Sequence, residues 1–551
     1  MTKKLKVILN GVPLSVDTGI SLETLLSDHP HPGKLPALGA IVNKSSKGLY
    51  YVLNTNSEIE TIDLSHREGM DIYRRTASMI LYAAVRRLYP QMKLTVGQSM
   101  SSTAYFFDIE GERAGAQFAA EVSKEMKKII SDDVPIEVDW LSAEEAIELF
   151  ERVNAYDKSR LINQMRNSEV PVAHLCDYVG IQHGPLASHT SLINTFSLEP
   201  YEHGLVLVFP DDNGKLAKGI PPQPKLFGVY RETKRWNELV KTRHVADLND
   251  HCVNGGISDL IKVTEALHEK KIASISDYVA EREGVKLLLV AGPSSSGKTT
   301  FTKRLSIQLK VHGIEPVAIS LDDYYLPNYE TPKHEDGTPN FETIDALDVP
   351  LLNRHLAALM NGEEVNVPVY HFNNGSRNPH ETKPLRLKEG QILIMEGIHG
   401  LNRDLSKSVP DHAKYKIYVS ALTQLCIDDH SRIFTTDTRL CRRIIRDRLF
   451  RGTNAAETIA MWSSVRNGEA KYIFPFQEDA DVIFNSAFIY EHALLKPYAE
   501  RYLMEVDHNH PSFMEASRLV RFFSYFIPIL ESEIPPNSLL REFIGKSSFK
   551  Y

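Results

Sequence analysis

Between Val290 and Thr300 the run VAGPSSSGKTT sets Gly292, Gly297, Lys298 and Thr299 in the spacing G-x-x-x-x-G-K-T. Glycines let a backbone wrap closely round phosphates with its amide hydrogens turned inward. A helix that follows such a loop adds a positive N-terminal end. Lys298 is then expected to reach the β- and γ-phosphates of ATP, and Thr299 to ligate Mg²⁺. The expected nucleotide cradle comprises Gly292, Pro293, Ser294, Ser295, Ser296, Gly297, Lys298, Thr299 and Thr300. It identifies a phosphate donor and leaves the acceptor open.

Three further sets of residues could do chemistry beside it. Asp322 and Asp323 end the apolar run PVAISL, and ligands of open parallel sheets lie at the carboxyl ends of strands. A carboxylate there can take the proton of an attacking hydroxyl. Glu396 ends QILIMEG, a place from which a carboxylate holds Mg²⁺ directly or through water. The segment DTRLCRRIIRDRLFRG sets Arg439, Arg443 and Arg446 on one helical face, with Arg442, Arg448 and Arg451 nearby. A charge run is usually a solvated face. Arginine also suits bidentate phosphate contact and the charge that develops in phosphoryl transfer, so a lid over ATP is expected. Two aromatic-rich loops, DDYYLPNY with NFETIDALD and VPVYHFNNGSRN, carry Tyr325, Phe341, Tyr370 and Phe372. These either stack on a flat ring or belong to the core. A GTPase is not supported: no NKxD follows the phosphate loop, and MEGIHG stands where DxxG would.

The elements that position these residues read as an α/β kinase core. VKLLLV, PVAISL, QILIMEG, YKIYVSA and ADVIFNSA are short apolar runs alternating with helices, which predicts buried strands of a parallel sheet covered on both faces. KTTFTKRLSIQLKVHG is the helix after the phosphate loop, stopped by Gly313. Ahead of this core, LKVILNG and VPLSVDTG form a hairpin about Asn10-Gly11, followed by the short helix SLETLLSD. The pattern changes at YRRTASMILYAAVRRLYP, a helix ended by Pro90, and continues as mixed α+β until the Pro-rich break GIPPQPKLFG. Residues 230–283 read as a charged helical connector, and the stretch beyond 495 as helices packing onto the kinase core or a neighbour.

With 551 residues the chain has room for about three to four domains. It is 42% hydrophobic and 24% charged with a net charge of −8, so no global basic field draws nucleic acid or anionic membrane. Cys176, Cys252, Cys426 and Cys441 show no CxxC spacing, which argues against a disulfide framework or zinc ribbon and fits a reducing, cytoplasmic setting. The N-terminus reads as a first strand and not a signal peptide, and no apolar run approaches a membrane span.

Over roughly 285–490 the motifs GPSSSGKTT, ISLDDYY, NFETIDALD, VPVYHFNNGSR, ILIMEGIHGL and DTRLCRRIIRDRLFRG resemble, in order, those of the uridine kinase family. The resemblance implies an ATP- and Mg²⁺-dependent nucleoside kinase with Asp322 as base toward the sugar 5′-hydroxyl. Tyr325, Phe341, Glu342 and Tyr370 then occupy nucleoside-pocket positions. Arg443, Arg446 and Arg451 match the lid arginines, and Glu396 the magnesium-site glutamate. Three departures stand out. The ribose-contacting aspartate is Glu342, the histidine that contacts the pyrimidine falls at Gly375, and a lid arginine is Thr453.

Residues 1–65 resemble the TGS domain, a β-grasp module. Residues from about 70 to 220 resemble the second editing-type domain of threonyl-tRNA synthetases, through YRRTASMILYAAVRRLYP, KLTVGQSM, EVSKEMKKII, VDWLSAEEAIELF, DYVGIQHGP and KLFGVY. The positions of that family's hydrolytic metal site carry Arg75, Met79, Gln182 and Leu186, a set from which no zinc site can be built. An editing fold without its hydrolytic activity is expected, and His183 beside it is expected to be structural. The organisation predicted is a TGS-like domain (1–65), an editing-like α+β domain (66–225), a helical connector (226–284), the kinase-like domain (285–490) and a helical extension (491–551). A nucleoside or related small-molecule acceptor is the expected partner, with RNA or a nucleotide at the front modules and a homo-oligomer compatible with it. The alternatives are a phosphoribulokinase-like sugar kinase, or an ATP-switched regulatory protein that binds RNA or a nucleotide.

Overall fold

The computed structural model describes residues 3–111, 114–217, 219–334, 337–371 and 375–551. They divide into two units. The first comprises 1–222, 244–246 and 426–432, and the second 223–243, 247–425 and 433–551.

The first unit opens with β1 (Lys4–Leu9) and β2 (Val12–Asp17), antiparallel about Asn10-Gly11. Both turn residues have positive φ, 49° and 82°, the conformation a two-residue hairpin needs. After α1 (Leu22–Asp28), capped by the Ser21 hydroxyl, come β3 (Gly39–Val42), β4 (Ser45–Gly48) and β5 (Ser57–Ile62). The sheet order is β2-β1-β5-β3-β4 with β1 and β5 parallel, a β-grasp arrangement. The long helix α2 (Arg67–Leu88) follows, then β6 (Leu94–Ser101), β7 (Ala104–Ile109), α3 (Ala116–Ser131), β8 (Glu137–Ser142), α4 (Ala143–Arg152), α5 (Tyr156–Gln164), β9 (Glu169–Leu175), β10 (Tyr178–Ile181), β11 (Ser197–Tyr201) and β12 (Gly204–Val208). A Ser142–Glu145 capping box starts α4. These strands form two antiparallel sheets, β11-β12-β7-β6 and β10-β9-β8.

The second unit begins with α6 (Pro224–Leu239), α7 (Val245–Val253, whose first two residues belong to the first unit) and α8 (Ile257–Glu281). The core follows as β13 (Leu287–Ala291), α9 (Lys298–Val311), β14 (Glu315–Ser320), α10 (Val349–Met360), β15 (Glu364–His371), β16 (Ser376–Arg386), β17 (Gln391–Gly397), β18 (Lys414–Ser420), then, after β19 (Cys426–Asp428) and β20 (Ser431–Arg432) of the first unit, α11 (Thr435–Phe450), α12 (Ala455–Tyr472), β21 (Val482–Asn485), α13 (Glu491–Leu503), α14 (Phe513–Phe523) and α15 (Arg541–Ile544). The parallel sheet runs β14-β17-β13-β18-β21. β13 lies at its centre with all five side chains at most 1% exposed, and burial of each leucine and valine contributes about 1.5–3 kcal/mol.

Four expectations change here. PVAISL is the edge strand of the sheet and largely half-exposed, because nothing pairs beyond it among the described residues. The described part of VPVYHFNNGSRN is strand and not loop: Val367, Pro368, Tyr370 and His371 pair with β16, which starts at Ser376. The connector helices belong to the second unit, where Arg304 of α9 meets Glu265 and Glu269 of α8. Lastly, Cys426–Arg432, inside the kinase-like sequence, belongs to the front unit. Beyond 491, α13 and α15 pack against α11 of the second unit.

Candidate active site

β13 delivers the chain into the phosphate loop. An added Cβ at Gly292 would overlap the Val419 carbonyl oxygen of β18, so only glycine fits. Gly297, at φ 86°, turns the chain into α9. The buried Ser295 and Ser296 hydroxyls find no partner among the described residues. A close-fitting loop with inward-facing polar groups ahead of a helix N-terminus fits a phosphorylated nucleotide.

Lys298, the first residue of α9, donates to the Pro293 carbonyl at 3.2 Å. Its crowded surroundings lower its pKa, opposed by the charges of Glu396 and Asp322. Asp322, in the turn after β14, has a raised pKa through burial, and Lys298 and Arg451 oppose that rise. Asp323 is also raised by burial, but it accepts the Tyr370 backbone N–H and faces Lys383 and His371. The two neighbours therefore look different ways, Asp322 toward the phosphate-loop lysine and Asp323 toward β15. Glu396, near the end of β17, accepts from the Thr299 hydroxyl at 2.9 Å. Burial, opposed by Lys298 and reinforced by Asp322, pushes it up to about 7. Two oxygen donors this close fit a hard divalent cation such as Mg²⁺.

The arginines of α11 divide into two groups. Arg439 and Arg442 are 1% and 0% exposed. Arg439 pairs with Glu469 and donates to the Ser294 carbonyl at 2.9 Å. Arg442 is forked on Glu491 and the Ser486 carbonyl. These two fasten α11 to the phosphate loop and to α13. Arg443 reaches the Ser294 hydroxyl at 3.0 Å. Arg443, Arg446 and Arg451 all converge on the buried Asp447, at 3.2, 2.9 and 3.7 Å. Glu469 also accepts the Ser294 backbone N–H at 2.9 Å.

Of the aromatics expected beside the site, Tyr325 and Tyr370 are buried and join Phe341 in one cluster. The Tyr325 ring meets Phe341 edge-on at 5.4 Å and Tyr370 at 5.7 Å, and its hydroxyl donates to the Phe341 carbonyl at 3.1 Å. Glu342 lies against the backbone of α12 at Gly468, where an added Cβ would overlap it. Burial and Glu469 push Glu342 up to about 7. Gly375 has φ 59°, and a Cβ there would overlap the Asn328 amide, which also accepts from Tyr370 at 3.1 Å. A histidine there would take a left-handed backbone and displace the Asn328 amide. Phe372 lies outside the described residues.

In the first unit, the four positions of the editing-type metal site hold no ligand set. Arg75 donates to the Pro185 carbonyl at 3.0 Å, Gln182 to the Tyr50 hydroxyl, and Met79 and Leu186 are buried. His183 is paired with Asp428 at 2.8 Å. Asp428 and His430 belong to the hairpin β19–β20, which sequence reasoning missed. The His430 ring lies tilted against Tyr82 with centroids 3.9 Å apart, and its Nδ1 meets the Tyr178 hydroxyl at 2.7 Å. Burial opposes the charge of Asp428, but Lys158 and His183 outweigh it and hold its carboxyl well below the usual range. The available signal was the run DDH, between a buried strand and the arginine helix.

Residues 287–489 match the model of the Phosphoribulokinase / Uridine kinase family. The front part is similar to threonine-tRNA ligases. That of Natranaerobius thermophilus is 36% identical over 30% of this chain and 26% of the relative, and that of Thermotoga maritima 32% identical over 41% and 34%. The chain thus spans about a quarter to a third of the length of these two relatives. A solved structure from Bacillus stearothermophilus, described as a possible uridine kinase, aligns over 39% of this chain and 98% of that one, with 15% identity and a TM-score of 0.28. Among the described residues no helix is long and apolar enough to cross a membrane. Residues 287–489 therefore carry a P-loop kinase fold that matches the model of the Phosphoribulokinase / Uridine kinase family, in a chain whose front part is similar to threonine-tRNA ligases.

Proposed function

We propose that the kinase domain transfers the γ-phosphate of ATP to the 5′-hydroxyl of a nucleoside, giving a monophosphate. The observation that carries this reading is the gathering of Lys298, Asp322 and the Thr299–Glu396 pair at the carboxyl ends of β13, β14 and β17. The acceptor hydroxyl gives its proton to Asp322, the one of the two neighbouring aspartates whose charge interacts with Lys298. Lys298 and the phosphate-loop amides hold the donor phosphates. Arg443, Arg446 and Arg451 leave Asp447 to neutralise the charge on the transferred group. Thr299 and Glu396 would hold Mg²⁺, which when bound neutralises charge on the donor phosphates.

Tyr325, Phe341, Glu342 and Tyr370 line the acceptor side. The fit of Gly375 against Asn328 supports a base contact other than a histidine, so pyrimidine selectivity is not part of the proposal. Purified protein incubated with ATP·Mg²⁺ and a panel of nucleosides, with products separated by anion exchange, tests the reading. A nucleoside monophosphate is expected. Product only from ribulose 5-phosphate or another sugar would replace it with the sugar-kinase alternative.

A further inference from the structure

The third amide of a helix has no partner within the helix, and in a phosphate loop it belongs to the phosphate cradle. In α9 that amide is Thr300. Its N–H is donated to Glu542 Oε2 at 3.2 Å and its hydroxyl to the same oxygen at 2.6 Å. The Tyr551 hydroxyl lies 2.8 Å from the Thr300 hydroxyl, and Lys303 stands 5.7 Å from the Tyr551 ring centre. Leu539 covers the turn at Gly297. A carboxylate, an aromatic ring and a leucine of one late segment thus crowd the start of α9.

The segment is held independently of that contact. Leu539, Leu540 and Phe543 are fully buried, and Phe543 lies under the Arg442 guanidinium at 5.0 Å. Arg541 is tied to the Glu531 and Ile534 carbonyls at 2.8 and 2.6 Å. Glu542 and Tyr551 can therefore leave Thr300 without their anchor unfolding. The charge of Glu542 also acts on Lys298 and on Glu396.

We propose that Glu542, assisted by Tyr551, is an internal competitor of the nucleotide: it occupies the Thr300 amide and hydroxyl that a donor phosphate takes, and it must be displaced for ATP to bind. This rests on the reading of the loop as a nucleotide site. It makes donor affinity adjustable by whatever draws the Glu542 side chain and Tyr551 away from α9.

Titration calorimetry with ADP on the full chain tests it, using wild type, Glu542→Gln, Glu542→Ala and Lys298→Ala. Removing one charge-assisted competitor should tighten ADP binding about tenfold in both Glu542 variants. Unchanged or weaker binding in well-folded Glu542 variants, with binding lost in Lys298→Ala, overturns the competitor and leaves the nucleotide site standing. Binding by none of the four proteins overturns both. Hydrogen exchange of wild type gives a second reading that needs no variant. ADP should speed exchange over residues 545–551, and unchanged or slower exchange there contradicts displacement.

Discussion

The Thr299 hydroxyl donates to Glu396 Oε1 at 2.9 Å, joining the first turn of α9 to the end of β17. Each is an oxygen ligand of the kind Mg²⁺ takes, and the carboxylate is protonated more readily than an ordinary glutamate because burial pushes it up to about 7. Between the ordinary glutamate range and about 7 the folded protein holds a proton that the unfolded chain releases, so Glu396 lowers stability as pH rises through that window.

The same proton competes with the metal. Mg²⁺ affinity of the ADP-bound protein should be constant well above pH 7 and fall about tenfold per unit below it. Glu396→Gln should weaken Mg²⁺ binding and remove this contribution to the slope. Fluorescence titrations at pH 6 and 8 check both, and an undiminished slope in the variant would contradict the assignment.

Asp322 and Asp323 should separate cleanly in kinetics. Loss of a general base costs about 10²–10⁴-fold, so Asp322→Asn should lose that much kcat while keeping ADP affinity within a few-fold. Asp323→Asn should retain most turnover, because its carboxylate is engaged by the Tyr370 amide and Lys383. Equal losses in the two variants would contradict the division of roles.

Arg443 touches Ser294 of the phosphate loop at 3.0 Å. Arg443→Ala should lower kcat about 10²-fold or more with a smaller change in ATP affinity. Arg443→Lys should restore little, since an ammonium cannot reproduce the planar fork. Steady-state kcat and KM of the two variants decide this.

Asp428 and Lys158 are 0% and 1% exposed in the front unit. Asp428 pairs with His183 at 2.8 Å, while Lys158 pairs with Asp157 at 3.2 Å and also feels the Asp428 charge. Asp428→Ala removes the buried carboxylate that accepts from His183 and weakens the charge balance of Lys158, and should destabilise that unit by about 3–5 kcal/mol. Urea unfolding followed by circular dichroism measures it, and a loss below about 1 kcal/mol would contradict the role of the buried carboxylate.

What was legible in the sequence was what is local. The phosphate loop, the strands around it and the Asn10-Gly11 hairpin are written in contiguous residues, and the carboxylates at strand ends follow from topology. The divided roles of the arginines were not legible, because burial of Arg439 and Arg442 depends on Glu469 and Glu491, which lie 30 and 49 positions away. The hairpin β19–β20 looked like a linker because its partners, such as Tyr178, lie some 250 residues earlier. Likewise Glu542 had no visible tie to Thr300, 242 positions distant. The aromatics stood undecided between core and pocket, and the structure gathers Tyr325, Phe341 and Tyr370 into a single cluster.

Phosphoryl transfer to a nucleoside with Asp322 as base is tested by transfer of label from γ-labelled ATP to a nucleoside panel by wild type and Asp322→Asn. Labelled nucleoside 5′-monophosphate is expected from wild type and a near-complete loss in the variant, with ADP affinity preserved. Transfer to no nucleoside by a wild type that binds ATP, or equal transfer by the two proteins, would contradict it.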